Sequence, residues 1–319
     1  MILGHDKEIA DLLGAWRGGA MHHAWLLGGP RGIGKAGFAR AAATRLLAEA
    51  AGHVSRDSSI EVDGQLPTAR FIDGRAHPDF RYLERGPNKT GTALARNITV
   101  DQVRELGSLF DSTPALSDWR VAVIDSVDDL EPGAANALLK MLEEPPANCL
   151  FLLVSHVPGR LLPTIRSRCR TLNFQPLGND VMTSIADSHQ LPHSLIEAAG
   201  GSAGRLLELA HLDLEPLRAE ALSLMRYGDP SNARRSKLAQ ALSGRTSAER
   251  YAAFLHVMPA MIADEARNLN GDARLRALDA YSEARSLSRM APRLSLDPAT
   301  TAFRMGSILA SVAPPDERV

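Results

Sequence analysis

Two kinds of apolar pattern alternate along the first half of the chain. Short unbroken runs, HAWLLGG (23–29), WRVAVID (119–125), CLFLLVSH (149–156) and RTLNFQP (170–176), read as buried strands. DFRYLER (79–85) alternates instead, as a half-exposed strand does. Between these runs the apolar residues take helical spacing. GKAGFARAAATRLLAEA predicts a helix opening beside Gly34. In TVDQVRELGSLF (99–110), Val100, Val103, Leu106 and Phe110 share one helical face. PGAANALLKMLEE (132–144) has Pro132 in its first turn, where a missing N–H does no harm, and Pro145-Pro146 stops it. Residues 52–76 are polar and show no clear period. Strands alternating with helices predict an α/β domain with a mostly parallel sheet covered on both faces.

After Pro176 the strand signals stop. NDVMTSIADSHQ and PHSLIEAAGGSAGRLLELAHL read as short helices broken at Gly200-Gly201, and from about residue 215 only helices are expected. Thr246 and Glu249 have capping-box spacing before a long apolar-striped helix. Asp297-Pro298 is a cap followed by a proline at the first helical position of the last helix. Three parts are expected: an α/β domain over 1–176, a small helical domain over 177–214 and a C-terminal helical domain over 215–319.

Composition narrows the class. The chain has 319 residues, enough for two or three domains, and its 45% hydrophobic and 23% charged content is ordinary for a globular protein. No signal peptide or long apolar span is visible, so a soluble, non-membrane protein is expected. Cys149 and Cys169 lie far apart and form no zinc or disulfide pattern, which suits a reducing cytoplasm. A formal net charge of −1 leaves no chain-wide basic footprint, so any contact with nucleic acid is local or shared with partners.

The chemistry begins in GGPRGIGKAG (28–37). Gly29, Gly32 and Gly34 let the backbone turn its N–H groups toward phosphate oxygens, and Lys35 adds a charge at the start of a helix. The loop follows a strand and opens a helix, the setting such a phosphate loop requires. The residue after the lysine is normally Ser or Thr, whose hydroxyl ligates Mg²⁺; here it is Ala36, followed by Gly37. Asp125, ending the strand VAVID, could reach a magnesium shell, but the next residue is Ser126, where many ATPases of this build have a water-orienting Glu. Asp128 and Asp129 read as solvated turn carboxylates. Two missing groups predict a site that hydrolyses ATP poorly. Arg166, Arg168 and Arg170 cluster in TIRSRCR (164–170); each guanidinium can fork onto phosphate oxygens, or the three form only a basic patch.

ANALLKMLEEPP (135–146), FLLVSH (151–156) and IRSRC (165–169), with ITVDQVREL and AHPDF (76–80), resemble the clamp-loader branch of the AAA+ ATPases, among the subunits of bacterial DNA polymerase III. The resemblance covers most of residues 20–176. It extends more loosely over GGSAGRLLEL (200–209), similar to the family's second sensor. It implies an AAA+ P-loop domain, a helical lid and a C-terminal α-helical collar. It also implies a place in a hetero-pentamer with gamma/tau-type motor and delta subunits, which loads the sliding β-clamp onto primed DNA in the cytoplasm. The family includes a rigid member that does not hydrolyse ATP and offers its SRC arginine in trans to ATP held next door. Carried over, Arg168 is that finger, with Ser167 and Cys169 fixing its loop. Gly29, Gly32, Gly34, Lys35, Ala36, Asp125 and Arg205 would surround a weakly bound ATP or ADP. Family members often carry four zinc-binding cysteines before the HPD segment; residues 46–80 hold none, so no zinc is expected, and the loss at Ala36 leaves Mg²⁺ open. Arg205 stands one position away from the usual second-sensor arginine, and the first sensor would be Ser155 or His156. The alternative is an ATP-hydrolysing gamma/tau-type motor or another AAA+ ATPase, since Lys35 and Asp125 are retained.

Overall fold

The computed structural model describes residues 2–314 except 89, 92, 93, 112, 245 and 246. Five strands form: β1 (Ala24–Gly28), β2 (Phe80–Glu84), β3 (Arg120–Asp125), β4 (Cys149–Ser155) and β5 (Arg170–Asn173). They make one sheet in the order β2-β3-β4-β1-β5, with every neighbouring pair parallel. The three central strands are almost wholly buried, which explains their unbroken apolar runs. The edge strand β2 buries only Phe80. The other edge strand, β5, departs from the buried strand its sequence predicts: only Leu172 is buried, because β5 has a neighbour on one side alone.

The helices of the first compact unit, Met1–Val181, are α1 (Asp6–Arg17), α2 (Lys35–Ala50), α3 (Pro67–Asp73), α4 (Val100–Asp111), α5 (Pro132–Glu143) and the short α6 (Pro163–Arg166). Side chains alternate across a strand, so β1 sends Trp25 and Leu27 to one face and Ala24 and Leu26 to the other. Trp25 and Leu27 join Leu12, Phe38 and Leu46 of α1 and α2. Ala24 and Leu26 join Val103, Leu106 and Leu138 of α4 and α5. The polar stretch 52–76 contains α3, a helix its sequence does not predict; Pro67 at its start is its one clear signal.

The AHPDF segment is structural. Asp79, 2% exposed, accepts the N–H groups of Ala115 and Leu116, each at 2.7 Å, and that of Ser117 at 3.3 Å. It thereby fixes the loop that leads into β3.

After β1 the chain crosses to the far edge and fills β2, β3 and β4 in turn, then passes β1 to place β5 on its other side. Such a reversal leaves a crevice at the carboxyl ends of the strands. Gly28 there lies opposite Ser155, and Asp125 lies opposite both Val154 and Glu84.

The second compact unit, Met182–Val319, is helical among its described residues. α7 (Asn179–Ser188) leads into it, followed by α8 (Ile196–Ala199), α9 (Ala203–His211), α10 (Glu215–Tyr227), α11 (Ala233–Leu242), α12 (Ala248–Asn268), α13 (Gly271–Arg293) and α14 (Pro298–Ala310). Phe254, Ile262, Leu287 and Leu309 are among its buried residues. Asp297 caps α14 as expected, accepting the Thr300 N–H at 2.8 Å. Thr246, expected to open α12, lies outside the described residues. Among the described residues no helix is long and apolar enough to cross a membrane, and both cysteines are free thiols.

Candidate functional site

The loop after β1 curls at the mouth of the crevice. A Cβ on Gly29 would fall on the carbonyl oxygen of Phe174, so only glycine fits. Gly32 and Gly34 have φ of +78° and +101°, conformations that glycine reaches without strain. Gly34 caps the 16-residue helix α2, whose first turn holds no acidic residue to answer its positive end. Ala36 and Gly37 continue α2 without a break. His5, 3% exposed, ties the loop to the N-terminal segment, its Nε2 lying 2.7 Å from the carbonyl oxygen of Ile33.

Lys35 is 3% exposed and donates to the carbonyl oxygens of Gly29 at 2.6 Å and Pro30 at 2.5 Å. Burial pulls its pKa down to about 8, against the opposing pull of Asp125 and Asp128. The motif lysine and the aspartate of β3 are therefore electrostatic neighbours, as the sequence motifs require.

The carboxylate of Asp125 has a partner that sequence reasoning missed. Tyr82 of β2 donates its hydroxyl to Asp125 Oδ2 at 2.9 Å, and burial together with that carboxylate raises the phenol's pKa. Ser126, where a water-orienting glutamate is absent, is 2% exposed, and its Oγ has no hydrogen-bond partner among the described residues.

Asp128 is not the solvated turn carboxylate its sequence position suggests. It accepts the Ser155 hydroxyl at 3.0 Å and the N–H groups of His156 and Val157 at 2.6 and 3.2 Å. The parallel register of β3 and β4 sets Asp128 against the end of β4, where both candidate first-sensor residues stand. Burial and the nearby Lys35 lower the pKa of His156. Asp129 likewise is engaged, with Arg85 Nε at 3.2 Å.

The three clustered arginines separate. Arg170 stacks on Trp25, 4.7 Å from its ring centre. Arg166 is exposed. Arg168 donates through Nη1 to the Thr164 carbonyl at 2.9 Å and through Nη2 to Glu143 Oε1 at 2.9 Å. Its neighbours back-bond into α6: Ser167 Oγ donates to the Thr164 carbonyl and Cys169 Sγ to that of Ile165. Glu143 was not foreseen. Arg205 belongs to the second unit, where its N–H is capped by Ser202 and its guanidinium lies near Glu208 and His256.

The cradle fits a phosphate: the backbone turns at glycines, the helix end is unanswered and Lys35 is at hand. It fits a magnesium ion poorly. Ala36 offers no oxygen, and Asp125 already accepts from Tyr82.

Comparison with known proteins gives the chain's family. A family model described as DNA polymerase III, delta subunit, matches residues 4–178. The DNA polymerase III subunit delta′ of Pseudomonas aeruginosa is 39% identical over 153 residues, which are 48% of this chain and 43% of that protein. Its counterpart from Escherichia coli K12 is 29% identical over 280 residues, 85% of this chain and 78% of that one. The tau subunit of E. coli K12 is 30% identical over 223 residues, 70% of this chain and 32% of that protein. The match thus spans under half the length of the Pseudomonas and tau relatives.

Proposed function

We propose that this chain, which belongs to the DNA polymerase III delta subunit family, is the delta-prime-type member of a clamp loader and lends Arg168 to ATP held by a neighbouring motor subunit. It would act in DNA replication within a hetero-pentamer of gamma/tau-type motors and a delta subunit, which places the sliding β-clamp on primed DNA. Residues 215–319 would form its collar contact with the other subunits.

One contrast carries this reading. The chain's own site has lost two groups, at Ala36 and Ser126, and its remaining carboxylate, Asp125, is bonded to Tyr82. Arg168, by comparison, is 34% exposed yet held at two points. An arginine supplied in trans stabilises the charge on a transferring phosphate and is worth roughly 10³–10⁵-fold in rate. The loop N–H groups between Gly29 and Gly34, with Lys35, would hold the phosphates of ATP or ADP; a nucleotide there supplies anionic oxygens to the α2 terminus.

The test is the Arg168→Ala variant in a loader reconstituted from its subunits. Assembly should persist, while ATP turnover by the motors falls by at least tenfold and clamp loading with it. Unchanged turnover would refute the finger. The retained Lys35 and Asp125 and the likeness to tau favour a second reading, an active motor. Rapid, DNA-stimulated ATP turnover by the isolated chain would establish that reading instead.

A further inference from the structure

We infer that Glu143 is the positioning residue of the Arg168 finger, fixing the guanidinium before a neighbour's ATP arrives. This inference rests on the finger reading above. It starts from a local anomaly. Glu143 and Glu144 close α5, at the helix end where the dipole is negative and carboxylates are disfavoured. The last turn carries one cation, Lys140, and Glu143 takes a second, Arg168, at 2.9 Å, from the segment after α6.

The contact crosses two packed elements. Ile165 of α6 and Leu138 and Leu142 of α5 share one buried cluster, so the backbones that carry the two charges are fixed relative to one another. The guanidinium has five N–H groups. One serves Glu143 and one serves the Thr164 carbonyl, which leaves three to meet a phosphate. The side chain therefore points in a set direction while remaining 34% exposed. Without Glu143 the Thr164 contact alone would hold a long flexible side chain. A phosphate would then have to order that side chain during the reaction, and displacement of a catalytic group by about 1 Å can cost up to 10²-fold. The anchor is half-exposed and screened by solvent, so a smaller effect is expected.

The experiment uses the reconstituted loader with Glu143→Ala, Glu143→Gln, Arg168→Ala and the Glu143→Ala/Arg168→Ala pair, each checked for assembly. Glu143→Ala should lower kcat for ATP by roughly three- to tenfold with KM little changed. Glu143→Gln keeps an acceptor oxygen and should lose less. In the Arg168→Ala background, Glu143→Ala should cost nothing further, which a merely structural role would not produce. The inference is overturned if Glu143→Ala leaves kcat unchanged, raises it, or costs as much without Arg168 as with it. If Arg168→Ala itself has no effect, the finger reading falls and takes this inference with it. If only the Glu143 variants are silent, the finger reading stands.

Discussion

Removal of the Glu49 carboxylate should unfasten α1, α2 and the segment after them together. Glu49 is near the end of α2, and its side chain is 3% exposed. It accepts Arg17 Nη2 at 2.5 Å, Trp16 Nε1 at 3.1 Å and Arg45 Nε at 2.8 Å. Arg45, 2% exposed, continues to the Ser55 carbonyl and to Asp57 at 3.0 Å. One carboxylate thus joins α1 to α2 and, through Arg45, to the polar stretch 52–76. Breaking a buried ion pair by deleting one partner costs about 3–5 kcal/mol, because the other charge stays buried. Asp57 remains for Arg45 but is 56% exposed, so Glu49→Ala belongs at the lower end, about 3 kcal/mol. With an unfolding entropy of about 2.1 cal/mol/K per residue, a unit of 181 residues loses about 8 °C in Tm.

Scanning calorimetry of the full chain measures this. Asp73→Ala is the control, because it breaks the Arg40–Asp73 pair, in which both side chains are about half exposed, and should move Tm by less than about 2 °C. The pH dependence has a definite sign. Burial pushes the Glu49 pKa up, but hydrogen bonds and charges from Arg17 and Arg45 outweigh it and hold the folded value below 4.5. The stabilisation is therefore complete above the unfolded pKa and lost as pH falls through the folded one. The gap in Tm between the native chain and Glu49→Gln should be full at neutral pH and narrow below about 4.5. A Glu49→Ala loss no larger than that of Asp73→Ala would refute the network as a fastener.

Two further outcomes are expected. Affinity for ADP, measured by titration calorimetry without Mg²⁺, should fall as pH rises through about 8, since only the ammonium form of Lys35 attracts phosphate; Lys35→Arg should flatten that profile, and a flat profile in the native chain would exclude the lysine from the contact. Asp79→Ala removes the buried acceptor of three half-buried N–H groups and should lower stability by about 2 kcal/mol in thermal unfolding; a loss under about 0.5 kcal/mol would show that water satisfies them.

The parts of the fold that were legible are those that pay for themselves locally. β1, β3 and β4 are buried on both faces and so read as unbroken apolar runs. α5 announced itself with Pro132 in its first turn and Pro145 beyond its end. α1 drew no expectation: its N-cap His5 makes no side-chain cap bond, so the usual start signal is missing. The glycine turn between β1 and α2 was legible because all its parts lie within ten consecutive residues.

What stayed hidden is contact between distant segments. Tyr82 meets Asp125 across 43 positions, and only the β2–β3 register brings them together. Asp128 looks like a turn residue until β4 is set beside β3. Glu143 differs from both, because its signal was local. Two carboxylates at the negative end of a helix run against the dipole, with Lys140 in the same turn as the one local cation to answer them. The nearest cations in sequence, Lys140 and Arg160, are not the one that meets Glu143; Arg168 reaches it only because α6 packs against α5.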